Sequence, residues 1–166
     1  MRKVLFIFGQ LADSDIEWLG KNGRRKRLPR ASVLIKEGVA VDTLYIVLDG
    51  ELSVLQGPKQ REIARLGAGE IAGEMSFVDA KPPSATVRAA SDVAVYAIPT
   101  KLLGEALDEN VAFAARFYKA VATFLSDRVR KATDPDYDDE LDDSVLDNVD
   151  RAGARFNTLS RQLLDG

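Results

Sequence analysis

The chain has 166 residues, 46% of them hydrophobic, a formal net charge of -3, and neither cysteine nor histidine. That length can bury one sizeable core, while the missing thiols exclude disulfides, thiolate metal sites and cysteine nucleophiles, and the missing imidazoles remove the commonest general base and metal ligand. An acidic balance argues against free nucleic-acid binding, which draws its affinity from Lys and Arg, and with only carboxylates, Lys, Tyr or Ser left for chemistry the expectation is a protein that is not an enzyme.

At the start, two basic residues precede an apolar run from Val4 to Phe8. It is too short for a signal-peptide core, no small-residue cleavage site follows, and no stretch approaches membrane-spanning length. A soluble, cytoplasmic protein is expected. The segment Leu11–Leu19 places Leu11, Ile16 and Leu19 for a short helix, with Ser14 or Asp13 as its cap and Glu17 completing a capping box after Ser14. Gly23 ends that helix. The basic cluster from Gly23 to Arg30 has no interleaved aromatic residue and is read as a solvated loop, and Val33–Ile35 begins a strand.

From there to about Pro99 the sequence is strand and turn. Asp42–Leu55 is rich in Leu, Ile, Val and Tyr and is broken at Asp49-Gly50; Gly57-Pro58 turns the chain again. Ala85–Ala89 and Val93–Ile98 are two further runs, separated by Ser91-Asp92. Short strands with closely spaced turn signals predict an all-β barrel or jelly roll. After Pro99 the pattern becomes helical. Thr100 can cap a short helix, and a longer one is predicted from Asn110 to Lys131 with Val111, Ala114, Phe117, Val121, Phe124 and Leu125 on its apolar face. Phe117, Tyr118 and Phe124 are read as core.

The tail has two parts. Asp134–Asp143 is a like-charge run; its Asp134, Asp136, Asp138 spacing fails as a calcium loop, because Asp139 stands where the turn glycine belongs and Val145 where the bidentate Glu belongs. Val145, Val149, Ala152, Phe156, Leu159 and Leu163 then recur at alternating four and three, a short heptad seam that needs a surface to lie on.

The order of these pieces, and above all the stretch GEIAGEMSFVDAKPPSATVRAA from Gly69 to Ala90, resembles the cyclic-nucleotide-binding domain family, which includes kinase regulatory subunits, the bacterial catabolite activator and cyclic-nucleotide-gated channels. The resemblance covers Leu11 to Lys131. Residues 37–54 are similar to the family's early strands, with Gly38 and Gly50 at turns, and residues 66–89 resemble its phosphate-binding cassette. It implies a mainly β fold: an antiparallel jelly roll (double-stranded β-helix) with an N-terminal helix and C-terminal lid helices. The expected organisation is a binding domain over 1–132, an acidic linker over 133–144 and an amphipathic helix over 145–166.

The resemblance also implies a site. Gly73 would let the backbone approach the ligand. Glu74 would accept from a ribose hydroxyl. A turn from Met75 to Val78, with Ser76 in it, would aim N–H groups at a cyclic phosphate. Ser84 and the Ala85 N–H would donate from the other side, and Thr86 opens the next strand. The family usually carries an arginine just before that Ser. Here the position is Pro83, which has neither charge nor N–H. Lys81 or Arg88 could replace the missing cation, and Ala72 stands where the family often has Phe. The implied ligand is cyclic AMP or cyclic GMP, with no cofactor and no metal. The expected partners are an unknown protein or a second copy reached through the C-terminal helices, with no DNA and no membrane. The alternative is a scaffold that keeps the fold, binds no nucleotide and serves as a protein-interaction module.

Overall fold

The computed structural model describes residues 8–137 and residue 154. It contains two compact units, a β unit over Asn22–Gly104 and a helical unit drawn from Met1–Lys21 and Glu105–Gly166. The N-terminal run Val4–Phe8 (Phe8 apart), most of the acidic linker and, Ala154 apart, the heptad seam lie outside the described residues.

The β unit has eight described strands: β1 Arg24–Leu28, β2 Val33–Ile35, β3 Thr43–Asp49, β4 Leu52–Gln56, β5 Arg61–Leu66, β6 Ile71–Ala72, β7 Thr86–Ala89 and β8 Val93–Pro99. They form two four-stranded sheets, ordered β1-β8-β3-β6 and β2-β7-β4-β5, in which every pairing is antiparallel. This is the jelly roll expected from the turn spacing. Val47, Leu52, Leu66, Val87, Val93 and Val95 belong to one buried cluster drawn from both sheets, the two-layer core such an architecture requires. At the β3–β4 turn, Gly50 has φ +82°, and a Cβ there would fall 2.4 Å from Asp92 O. Only glycine fits that corner.

The basic cluster corrects the sequence reading: it is a strand, not a loop. Arg24–Leu28 pairs with β8 in register, Arg25 opposite Tyr96 and Arg27 opposite Ala94. β8 is buried over Val93–Ile98, so backbone groups on both of its edges need partners. β3 occupies one edge and β1 the other. A run of Arg and Lys is a poor apolar alternation but a good outer strand, since charge on an edge discourages pairing with other chains.

In the helical unit, α1 spans Asp13–Asn22, and Ile16 and Leu19 are buried in it. Neither Ser14 nor Asp13 acts as its cap. Asp15 reaches back to accept from Ala12 N at 2.8 Å, the second half of a capping box shifted two residues from the expected one. Arg116 closes on the same carboxylate with two bonds, Nε to Oδ2 at 2.7 Å and an Nη to Oδ1 at 2.9 Å. Asp15 is 2% exposed and Arg116 33%, and the carboxylate holds the guanidinium pKa above its ordinary value.

The helix α2, Glu74–Asp79, belongs to the β unit, and α3 spans Thr100–Glu109. Thr100 is the first residue of α3, and its N–H donates to Asp42 O. The long helix α4 spans Val111–Thr133, and Asn110 caps it by accepting from Phe113 N at 3.0 Å. Its buried face is Phe113, Phe117, Ala120, Val121 and Phe124. Phe117 and Phe124 are core as expected. Val111, expected on the apolar face, is 78% exposed, and Tyr118 is 45% exposed. The buried stripe begins at Phe113 because the first turn carries the cap rather than the contact. No described helix is long and apolar enough to cross a membrane.

Candidate functional site

β6 brings the chain to the cassette, paired with β3 through Ile46–Ile71 and Tyr45–Ala72. Gly73 follows with φ +92° and ψ 0°, a left-handed conformation that breaks the strand and starts α2. A Cβ at Gly73 would sit 3.0 Å from Thr43 O and 3.6 Å from Ile35 Cδ1. The glycine is therefore required by φ and by the backbone of β3. This is a reason internal to the fold, beyond the ligand-approach role expected of it.

Glu74 opens α2 and is 2% exposed. At that end a carboxylate is favoured by the positive pole of the helix dipole. Phe77 N donates to Gly73 O at 3.2 Å, and Ala80 N to Ser76 O at 2.9 Å, where Ala80 (φ +58°) ends the helix. The first N–H groups of any helix lack partners within it. Met75 points outward, 53% exposed, and Ser76 is half-buried.

The second half of the cassette is fixed by residues that the sequence reading missed. Gly38 N donates to Pro83 O at 2.9 Å, and Glu37 N donates to Thr86 Oγ1 at 3.1 Å. Glu37 also accepts from Gly57 N, and Gln56 Nε2 reaches Ser84 O at 3.4 Å. Residues 35–43, running from the end of β2 to the start of β3, thus anchor both halves: Ile35 and Thr43 against Gly73, and Glu37 and Gly38 against Pro83–Thr86. The only trace of this in the sequence was Gly38 as a turn. Thr86 is buried and its oxygen is committed to Glu37 N, though a hydroxyl keeps a hydrogen to donate. Ser84 is exposed, and Pro83 and Ala85 are half-buried.

The two candidate replacement cations divide. Val87 and Ala89 of β7 lie in the core cluster. Arg88 between them is exposed, in register with Ser53 and Val33, so it projects from the opposite face of β7. Lys81 is exposed on the cassette loop itself, where its N–H donates to Asp79 Oδ1. Tyr45 was not foreseen. It is half-buried against the core cluster and pairs with Ala72, the residue before Gly73. Burial pushes its phenol pKa up, opposed by a hydrogen bond with Thr43, so the phenol keeps its proton at neutral pH.

A separate cleft of about 410 Å³ is lined by Arg25, Arg27, Leu28, Asp49, Asp92 and Ala94 among others. It shares no residue with the cassette. In register, Arg27 and Asp49 flank Ala94, whose small side chain leaves the gap. Two arginines and two aspartates balance there, so its lining has no net charge to select an anion.

A family model described as a cyclic nucleotide-binding domain matches residues 25–110, more than half of the chain. A cyclic nucleotide-gated potassium channel of Rhizobium etli is 27% identical over 106 residues, which is 62% of this chain and 29% of the channel. The cyclic AMP receptor protein of Thermus thermophilus is 28% identical over 95 residues, 55% of this chain and 44% of the receptor. The chain spans less than half the length of these curated relatives. A solved cyclic nucleotide-binding domain from Methylobacillus flagellatus superposes with a TM-score of 0.72 at 25% identity, covering 84% of this chain and 85% of that one.

Proposed function

Because the chain belongs to the cyclic nucleotide-binding domain family, we propose that it is a regulatory module whose cassette, Gly73 to Thr86, takes cyclic AMP or cyclic GMP and whose C-terminal helices pass the bound state to a protein partner or a second copy. The observation that carries this reading is the left-handed Gly73 followed at once by the buried Glu74 at the start of α2. In the roles the family implies, Glu74 accepts from the ribose 2′-hydroxyl. The N–H groups at Met75 and Ser76, with the Ser84 hydroxyl and the Ala85 N–H, meet the cyclic phosphate. Residues 1–132 form the sensing body, 133–144 the linker and 145–166 the effector segment, working in the cytoplasm without a catalytic step, a cofactor, a membrane or DNA. Coupling requires only that the ligand bind one arrangement of the helices better than another.

One observation favours a second reading, a nucleotide-free interaction scaffold. Pro83 occupies the place of the family's arginine, and Arg88 projects from the face of β7 opposite the core. A charge-assisted hydrogen bond contributes about 1.5–3 kcal/mol, so the native cassette should bind about ten- to a hundredfold more weakly than one carrying arginine. Calorimetry with cyclic AMP and cyclic GMP tests both readings. The sensor reading expects saturable binding by the native chain, tightened by Pro83→Arg and weakened by Glu74→Ala. No binding up to about millimolar concentration by either the native chain or Pro83→Arg, a free energy weaker than about -4 kcal/mol, would leave only the scaffold.

A further inference from the structure

We propose that the heptad seam of residues 145–163 packs antiparallel, within the same chain, along the solvent face of α4. This rests on α4 and the tail, and is independent of nucleotide binding. Val111, Ala115, Tyr118, Ala122, Leu125 and Val129 recur along α4 at four, three, four, three, four. The stripe lies away from the buried face: Val111, Tyr118 and Val129 are 78%, 45% and 61% exposed, Ala115 and Ala122 are exposed, and Leu125 is half-buried. A 3.5-residue period is the signature of a seam facing another helix rather than a sheet. The segment Val145–Leu163 carries the same period.

The two stripes match position for position when run in opposite directions. Val129 then meets Val145, Ala122 meets Ala152, Tyr118 meets Phe156 and Val111 meets Leu163, so all six positions of each stripe are used. Ser144, three residues before Asp147, supplies a capping-box start for the second helix. The intervening Asp134–Asp143, with Pro135 just past the end of α4, is longer than most helix–helix connections and ample to reverse the chain.

Charge selects this occupant. α4 ends in Arg128, Arg130 and Lys131, whereas residues 134–150 hold nine acidic residues and no basic one. Reversal lays the acidic start of the seam beside the basic end of α4. A parallel pair of two α4 stripes from separate copies would instead bring the basic ends together, which is repulsive.

The absence of native cysteine makes the test direct. Ala122→Cys with Ala152→Cys, in the full chain, places two thiols at the middle of the seam. Ala112→Cys with Ala152→Cys is the control, ten residues (about 15 Å) along the helix. Each is oxidised with glutathione disulfide and read by non-reducing electrophoresis and intact mass. The expected result is an intramolecular disulfide in the first pair, formed about tenfold faster than in the control because packing raises the local concentration. A cross-linked dimer as the main product would assign the face to a second copy and overturn the proposal. Equal rates in the two pairs, or no disulfide in either, would overturn the packing itself. Both substitutions are small and exposed on α4, and unfolding midpoints matching the native chain establish that folding is intact.

Discussion

Each unit of the molecule buries a carboxylate to the same degree, one in a helix–helix clasp and one in the segment proposed above as a ligand site. Asp15 in the helical unit and Glu74 in the β unit are both 2% exposed. Asp15 is held by a guanidinium and a backbone N–H of its own unit, so its charge is balanced from within and its work is to join α1 to α4. Glu74 follows a left-handed glycine in the segment that the family uses for a ligand. Burying an ionised carboxylate is costly unless it is paired. Equal burial by itself therefore fixes no use: Asp15 is a clasp between α1 and α4, and in the function proposed above Glu74 belongs to a ligand site.

The strongest way to break this contrast is to truncate both residues. Asp15→Ala leaves Arg116 without its partner and frees Ala12 N. Breaking a fully buried pair costs about 3–5 kcal/mol; Arg116 is a third exposed and can be resolvated, so a loss of about 2–3 kcal/mol is expected in denaturant unfolding. Glu74→Ala forfeits the interaction of the carboxylate with the helix dipole, about 0.3–1 kcal/mol, so a smaller loss is expected in the same assay, and under the proposed function it weakens nucleotide binding. Equal losses of stability would make Glu74 a second clasp.

A smaller effect comes from two glycines. Gly73→Ala must hold φ near +92° and push against Thr43 O, so a loss of about 1–3 kcal/mol is expected. Gly104 lies inside α3 with nothing within 4 Å of a Cβ placed there, and Gly104→Ala should gain about 0.5–1 kcal/mol. Opposite signs for the same chemical change would place backbone strain at Gly73 and not at Gly104; a gain in stability at both would remove it from the cassette.

These positions also mark what the sequence could and could not convey. The roll was legible because β3, β4, β7 and β8 are apolar runs bounded by Asp-Gly and Ser-Asp turns, signals that local physics makes explicit. β1 was not, because its five residues, four of them basic, become a strand only through the unmet edge of β8, a partner about seventy residues away. In the cassette, the order Gly73-Glu74 and the strand start at Thr86 could be read directly. The anchoring of Pro83 and Thr86 by Gly38 and Glu37 could not, since a backbone hydrogen bond leaves no mark on residue type. Asp15 gave no sign either: its partner Arg116 lies 101 residues on, and helix-cap spacing favoured Ser14.

The smallest expected effect concerns a third carboxylate, which is paired but exposed. Glu62 accepts from Arg65 Nε at 2.7 Å and from Ser53 Oγ at 3.0 Å, on the outer strand β5, where five of six residues face solvent. The Arg65 hydrogen bond, then that of Ser53, holds its carboxyl below the ordinary range. A lowered folded-state pKa stabilises above the unfolded value and is lost as pH falls through the folded one. The native chain should therefore exceed Arg65→Ala slightly in stability at neutral pH, and the gap should close as pH falls from about 6 to about 3. Raising salt should shrink the same gap, because exposed pairs are screened, whereas the gap between the native chain and Asp15→Ala should persist. If salt erased both equally, Asp15 would be no better shielded than a surface pair, and the contrast between clasp and site would lose its footing in burial.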